Sequence, residues 1–158
     1  MSEFKKNDLL IMSHFRHNAR KNLTTISKET RIPVSTLFNK LKLFETGIIK
    51  RHTAMLDFSK LGFSAVAKIM IKTNKKSKIE LGKYLKNNHQ INSLFKITNG
   101  YDFIAEGIFK SIFELENFLE TIDEKFKIIK KDVYYVIEDL KREEFMADYN
   151  YLSIFLNW

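Results

Sequence analysis

The sequence predicts an α+β protein in which three short helices precede a four-stranded sheet that carries two further helices. Two helical patterns lie close together within residues 18–52, with a tight turn between them. Residues 65–137 then alternate between strand and helix patterns in the order βαββαβ. Positive charge is concentrated in the helical part. These observations predict a three-helix, helix-turn-helix DNA-binding domain followed by a ferredoxin-like domain.

Length and composition limit the class of protein. The 158 residues suffice for one ordinary domain or two small ones, and 44% hydrophobic with 29% charged residues is typical of a globular chain. No stretch approaches the roughly 18 apolar residues of a membrane span, and the N-terminus lacks the apolar core of a signal peptide. The absence of cysteine excludes disulfides and cysteine nucleophiles. We therefore expect a cytoplasmic protein with no membrane partner.

The first domain, residues 1–61, is predicted to contain three helices. The first runs from residue 7 or 8 to residue 17. The second follows Asn22, whose side chain can accept a hydrogen bond from an unpaired backbone N–H group of the first turn. The third covers residues 34–45. On it, four apolar residues recur at helical spacing and are predicted to form the buried face: Val34, Leu37, Leu41 and Phe44.

The opposite face of the third helix is predicted to be polar and exposed. Successive residues lie about 100° apart around a helix axis. This spacing turns five residues away from the buried face: Ser35, Thr36, Asn39, Lys42 and Leu43. Four of these can donate hydrogen bonds or carry positive charge, as a helix that enters the major groove requires. A basic run that includes Lys50 and Arg51 follows the helix.

Charge is distributed unevenly between the two halves of the chain. Residues 1–61 carry eight Lys and four Arg against five acidic residues, a net charge of +7. Residues 62–158 carry 15 basic and 14 acidic residues, a net charge of +1. A lysine-rich composition inherited from an AT-rich genome would explain the number of lysines but not their segregation. Neutralisation of DNA phosphates would explain the segregation.

Residues 62–144 are predicted to form the second domain. Asn99-Gly100 is a two-residue hairpin signal between its central strands. Each helix is predicted to open with a capping box, in which Ser77 pairs with Glu80 and Ser111 with Glu114. The buried stripe of the second helix is predicted to contain Ile112, Leu115, Leu119 and Ile122. The predicted strands cover residues 65–72, 91–98, 101–109 and 128–137, and the helices cover residues 77–88 and 111–123.

The predicted sheet has its helices on one face, yet its strands carry apolar residues on both faces. An uncovered apolar sheet face predicts self-association. Residues 48–57 are predicted to form an extended linker strand, with a hinge at residues 58–62. Residues 145–158 form an apolar tail, and we expect this tail to dock on its own or a partner subunit as an amphipathic helix. Four apolar residues support this prediction: Phe145, Tyr149, Leu152 and Leu156.

A series of short motifs runs from residue 7 to about residue 145. It comprises Asp8-x-x-Ile11, Asn18-Ala19-Arg20, Ile32-Pro33-Val34-Ser35-Thr36, Gly47-Ile48-Ile49-Lys50, Thr53-Ala54-Met55-Leu56-Asp57, Lys60-Leu61-Gly62, Gly100-Tyr101-Asp102-Phe103 and Tyr134-Tyr135-Val136-Ile137. In this order and spacing the motifs resemble those of the Lrp/AsnC (feast/famine) family of prokaryotic transcription regulators. Arg31 stands where that family usually has Gly. Lys40 stands where it usually has Arg, so a phosphate-directed charge is kept but bidentate base recognition is lost.

The resemblance implies homodimers that pair their sheets, often assemble into octamers, bind double-stranded DNA through the N-terminal domain and bind an effector, commonly an amino acid, through the C-terminal one. Asp102 would meet the ammonium group of the ligand, unless it is an ordinary strand residue facing solvent. Lys131 replaces a Thr, which suggests an acidic ligand or no ligand. The effector residues that the resemblance implies are Asn99, Gly100, Tyr101, Asp102 and Lys131.

Two other functions stay open. An effector-free architectural DNA-binding protein would show strong salt sensitivity with little sequence preference. A sirohaem decarboxylase-like enzyme shares the architecture but uses His and Arg around the hairpin, and residues 94–103 contain neither. We therefore expect no catalytic residue, no enzymatic activity and no cofactor. His14 and His17 have a spacing that could hold a metal, but without an acidic or Cys partner exposed surface histidines are expected instead.

Overall fold

The computed structural model describes residues 4–155. The chain divides into two compact units, with boundaries at Met55/Leu56 and Asp139/Leu140. We call them the helical unit, which combines the N-terminal helices with residues 140–155, and the sheet unit, residues 56–139. Both boundaries come earlier than the predicted ones after residues 61 and 144. The tail, predicted as a separate segment, belongs to the helical unit.

Local hydrogen bonds and turns set the ends of the helices in the helical unit. The Asn22 side chain accepts the backbone N–H of Thr25 at 2.7 Å, which confirms the predicted cap. The second helix ends at Arg31, which adopts a φ of 59°. A left-handed residue commonly ends a helix, and glycine is its usual occupant. The three helices are α1 Lys6–His17, α2 Leu23–Thr30 and α3 Val34–Gly47.

The three helices enclose one apolar core. Leu37 and Phe44 of α3 are fully buried, as predicted, and Leu41 packs against the core at its margin. The prediction for Val34 is wrong, because this side chain is 42% exposed at the first position of α3, beyond the core. The buried core residues are Ile11, Phe15, Ile26, Ile32, Leu37 and Phe44.

Polar contacts hold the tail against α1. The Ser13 hydroxyl donates to the carbonyl of Ala147 at 3.4 Å, and Arg16 Nε donates to the carbonyl of Phe145 at 3.2 Å. The Arg16 guanidinium also forms an ion pair with Glu143. These bonds join residues more than 120 positions apart in the sequence, so the tail is a fourth element of the helical unit.

The tail buries less of its apolar stripe than its spacing predicted. Leu152 is buried, whereas Phe145 and Tyr149 are 69% and 55% exposed. Residues Tyr149–Phe155 form a 3₁₀ helix instead of the predicted amphipathic α-helix. A 3₁₀ helix has three residues per turn, so a stripe spaced for an α-helix does not stay on one side of it. Leu156 lies outside the described residues.

The sheet unit confirms the predicted βαββαβ order. Its strands lie in the order β2-β3-β1-β4, and all neighbouring pairs are antiparallel. Asn99 and Gly100 have φ values of 66° and 103°, the positive values that a type I′ hairpin turn needs. The elements are β1 Ala65–Thr73, α4 Lys78–Asn87, β2 Ile91–Lys96, β3 Phe103–Phe109, α5 Ile112–Lys125 and β4 Ile128–Tyr135.

Helices α4 and α5 cover one face of the sheet and form its core with the strands. On α5, Leu115, Leu119 and Ile122 are buried as predicted. The prediction for Ile112 is wrong: its side chain is 60% exposed at the first position of α5, whereas Phe118 is buried beside Leu119. The apolar stripe therefore begins one turn later than its spacing suggested.

The hydrogen bonds at the N-termini of α4 and α5 differ from the two predicted capping boxes. The Ser111 hydroxyl accepts the N–H of Glu114 at 3.2 Å, but the Glu114 carboxylate accepts the N–H of Lys110 at 2.7 Å instead of closing the box on Ser111. The prediction for Ser77 is wrong, because its side chain makes no capping bond. The Asn74 side chain instead accepts the N–H of Ser77 at 2.8 Å, one turn before α4.

The linker between the units contains no strand. Residues 48–57 pair with none of the four described strands, so the predicted linker strand has no neighbour within this chain and stays a prediction. A strand needs a hydrogen-bonded neighbour, and alternation in the sequence alone does not supply one. The hinge at residues 58–62 contains the short 3₁₀ helix Ser59–Leu61. Within residues 4–155, no helix has the length and apolar character of a membrane span.

Candidate nucleic-acid interface

The outward face of α3 is exposed along the length of the helix. The side chains predicted to read DNA lie on it, and so does the predicted apolar residue Leu43, which is 61% exposed. Phe38, which was not among the predicted residues, also lies on this face and is 46% exposed. Its position three residues after Ser35 and four before Lys42 was the signal that could have identified it. The exposed predicted residues are Ser35, Thr36, Asn39 and Lys42.

The exposed apolar side chains add a second kind of contact to this face. The Lys42 Nζ atom lies 4.4 Å from the centre of the Phe38 ring, so the cation and the ring form one cluster. Asn side chains can bridge adenine edges, and apolar groups can contact thymine methyl groups. An amide at Asn39 and a ring at Phe38 are therefore the two chemical groups that could contact an A·T pair in the major groove.

Lys40 has a structural partner. Its Nζ atom lies 2.8 Å from the carboxylate of Asp8, whose side chain is buried. The Asp8 carboxylate also accepts the N–H of Lys5 at 3.1 Å, at the start of α1. Lys40 thus forms an ion pair between α3 and α1 and neutralises the buried Asp8 carboxylate. This ion pair gives Lys40 a role in the stability of the helical unit, and its contact with DNA stays a prediction.

Lys50 and Arg51 follow α3 and are fully available to an anion. Both side chains are exposed, and in the described part of the chain no carboxylate lies within ion-pair distance of either. The next residue, His52, differs because its ring lies 3.0 Å from the Glu45 carboxylate. Unpaired cations beside an exposed polar helix face suit contacts with DNA phosphates.

His14 and His17 are not the matched pair of surface histidines that their spacing suggested. His17 is exposed, but His14 is buried and stacks on the Tyr149 ring, with centroids 5.7 Å apart. Burial and the charge of Lys21, whose Nζ lies 3.4 Å from the ring, lower the pKa of His14. No cluster of three or more potential metal ligands occurs among the described residues.

The predicted effector residues separate into different surroundings. Asp102 is buried, so the expectation of a solvent-facing strand residue is wrong. Its carboxylate accepts the N–H of Thr73 at 3.0 Å and pairs with Lys78 and, at 3.6 Å, with Lys72. Burial alone would raise the pKa of Asp102, but the bonds from Lys78 and Thr73 and the charge of Lys72 outweigh it and lower this pKa.

Tyr101 and Lys131 bond to carboxylates other than that of Asp102. The Tyr101 hydroxyl donates to Asp132, and this bond lowers the pKa of the Asp132 carboxyl group. Lys131 reaches α5 instead, where its Nζ atom lies 2.6 Å from the Asp123 carboxylate and 3.3 Å from a backbone carbonyl. Asn99 and Gly100 occupy the exposed hairpin turn. Within one chain, the five predicted effector residues therefore have different bonding partners, and a shared effector site stays a prediction.

Comparisons with known proteins agree with this architecture. No protein-family model matches the sequence. The HTH-type transcriptional regulator FL11 of Pyrococcus horikoshii is 32% identical over 116 residues, which cover 73% of this chain and 77% of the relative. FL11 is an Lrp-family protein.

Two of the solved structures with a similar fold show how close the likeness to this chain is. A transcriptional regulator of Neisseria meningitidis, in complex with L-Met, gives a TM-score of 0.82 at 17% identity over 89% of this chain and 94% of that one. AsnC of E. coli gives 0.78 at 17% identity over 89% and 96%. These likenesses confirm the fold, and the identity to FL11 shows the family. The chain therefore belongs to the Lrp/AsnC family of helix-turn-helix transcription regulators.

Proposed function

We propose that this regulator reads a specific DNA sequence with the exposed face of α3 and binds the flanking phosphates with Lys50 and Arg51. The observation that carries the proposal is the exposure of Asn39 beside Phe38 and Lys42 on one helical face. A purely architectural protein needs cations but no side chain that discriminates between bases. The combination of an amide and an aromatic ring therefore favours sequence-specific regulation.

Replacing Asn39 by Ala should weaken binding to a specific operator by about 1 to 3 kcal/mol and relax its sequence preference, because bidentate contacts to adenine would be lost. Operators selected from a random DNA library, followed by affinity measurements on selected and scrambled duplexes, provide the test. Lys50→Ala and Arg51→Ala are the matched controls, and each should weaken both duplexes alike. Equal losses on both duplexes for all three variants would contradict sequence reading by α3.

We further propose that the regulator acts as a homodimer that pairs the open faces of two sheets. The open face is the one opposite α4 and α5. The strand register shows that this face carries a continuous apolar patch, because Ile104 on β3 lies beside Met70 on β1 and Phe95 on β2. A two-fold dimer would present two α3 helices to two half-sites. The apolar side chains of the open face are Val66, Met70, Phe95, Ile104, Ile108 and Tyr134.

The Neisseria meningitidis protein was solved in complex with L-Met. An amino-acid effector that paired with Asp102 of this chain would have to displace the lysine side chain already bound there. We propose that the Lys78 ammonium competes with the ligand ammonium for Asp102, since both would pair with the same buried carboxylate. Lys78→Ala should then bind a stabilising amino acid at least about tenfold more tightly than the wild type, a difference of about 1.4 kcal/mol.

A thermal-shift titration with each standard amino acid measures this difference. Lys76→Ala is the matched control, because Lys76 is an exposed lysine of the same region and Asp102 makes no ion pair with it. Lys76→Ala should respond as the wild type does. If no amino acid shifts the melting temperature of either variant or the wild type, the competition at Asp102 is refuted and the effector-free alternative is favoured. The regulator relatives favour a non-enzymatic role in either case.

A further inference from the structure

Positive charge is segregated within the sheet unit as well as between the two units. Residues 72–96 contain seven lysines and one glutamate, a net charge of +6. The remaining residues of the sheet unit, which spans residues 56–139, contain seven lysines and eleven acidic residues, a net charge of −4. One stretch of a nearly neutral unit is therefore strongly basic. Such an arrangement needs an explanation, because like charges held close together destabilise the folded state.

The basic stretch surrounds a shallow depression between α4 and the end of β2. The depression has a volume of about 290 Å³, and four lysines line it: Lys78, Lys83, Lys86 and Lys96. Gly82 lets α4 approach its floor closely, because a Cβ atom there would lie 3.1 Å from the Phe103 ring. The surface combines an apolar floor with a rim of ammonium groups.

Three of these lysines have no anionic partner in the described chain. Lys78 pairs with Asp102, and elsewhere in the sheet unit Lys68 pairs with Glu106 and Lys131 with Asp123. No carboxylate of residues 4–155 lies within ion-pair distance of Lys83, Lys86 or Lys96. We call these three residues the lysine surface. Acidic residues pair with Lys68 and Lys131 but with none of the three lysines of this surface, so the surface keeps its positive charge.

The lysine surface lies on the helix-covered side of the sheet, at its β2 edge. The open face lies on the opposite side, so pairing of two open faces would leave the lysine surface uncovered. The depression is too open to enclose a small molecule, as specific ligand pockets do. Separate ammonium groups along a surface instead suit a repeating polyanion.

We propose that Lys83, Lys86 and Lys96 bind the phosphate backbone of DNA as a second contact surface, independent of sequence and separate from α3. This inference rests on the proposed function, in which the protein binds duplex DNA. An α-helix rises about 1.5 Å per residue, so Lys83 and Lys86 lie about one turn apart and can contact neighbouring phosphates. The surface would add affinity and salt dependence without changing which operator is preferred.

The test is the salt dependence of DNA binding by the full-length Lys83→Gln/Lys86→Gln variant. Each phosphate contact contributes about 0.9 to the slope of log affinity against log salt concentration. The double variant should therefore show a slope smaller by about 2 on an operator and on an unrelated duplex. The matched control is Lys110→Gln/Lys127→Gln, which removes the same charge at two exposed lysines outside residues 72–96. The control should keep the wild-type slope.

Three outcomes would overturn the inference. Equal slope changes in both double variants would mean that net charge acts at long range without a defined surface. An unchanged slope in Lys83→Gln/Lys86→Gln would mean that these lysines do not contact phosphates. An unchanged slope with an altered oligomer in native mass spectrometry would assign the surface to a second copy of the chain. If the wild type bound no duplex at any salt concentration, the proposed function itself would fail.

Discussion

Replacing Ile104 by Glu is expected to convert the protein into a monomer and to lower its operator affinity by about 100-fold or more. Ile104 lies at the centre of the open face, between Met70 and Phe95 on the neighbouring strands. Pairing two copies of this face would bury a carboxylate without a partner on each side, which costs several kcal/mol. Loss of the dimer removes the second linked half-site contact, and such linkage commonly contributes about 10²- to 10⁴-fold.

Analytical ultracentrifugation at micromolar concentration and operator titration measure the two effects. Phe113→Glu is the matched control, because Phe113 is 75% exposed on α5, which lies on the other side of the sheet. This variant should remain dimeric. Circular dichroism should show that both variants keep their fold. A folded Ile104→Glu variant that remains a dimer would refute pairing through the open face.

The second large effect is expected in the tail. Replacing Leu152 by Ala should destabilise the helical unit by about 2 to 4 kcal/mol, because Leu152 is only 5% exposed and its removal leaves a cavity in the contact with α1. Hydrogen exchange followed by mass spectrometry should show faster exchange of the α1 amides. The contacts of Ser13 and Arg16 with the tail make α1 the element that loses protection.

The neighbouring Tyr151 supplies the control for this experiment. Its side chain is 61% exposed in the same 3₁₀ helix, so Tyr151→Ala should leave the exchange of α1 unchanged. Faster exchange of α1 in both variants would point to a general disturbance of the tail. Unchanged exchange in Leu152→Ala would contradict docking of the tail on α1 in solution.

Local sequence patterns were sufficient to predict most of the secondary structure. The cap at Asn22, the hairpin at Asn99-Gly100 and the outward polar face of α3 depend on residues a few positions apart, and the structure agrees with each prediction. Two of the errors lie at the ends of apolar stripes. Val34 and Ile112 fit the helical spacing but occupy the first position of their helices, beyond the buried surface. Periodicity identifies a face but not the extent of the core.

The bonding partners of charged side chains could not be predicted from the sequence, because these partners come from distant parts of the chain. Lys40 was predicted to face DNA phosphates, but α1 brings the Asp8 carboxylate to it. Asp102 was predicted to meet a ligand ammonium or solvent; it is buried, and α4 brings the Lys78 ammonium to it. The electrostatic interaction of a side chain depends on distance in space, and sequence spacing gives that distance only within one helix or strand.

The sequence by itself determined the order of the elements, the concentration of positive charge in the first 61 residues and the outward polar face of α3, since these depend on composition and local periodicity. Only the tertiary structure decided that the tail packs on α1, that His14 is buried and that Lys83, Lys86 and Lys96 surround one depression. Such contacts join residues from 10 to more than 130 positions apart. They form only when the fold brings separate elements together, and no local pattern encodes them.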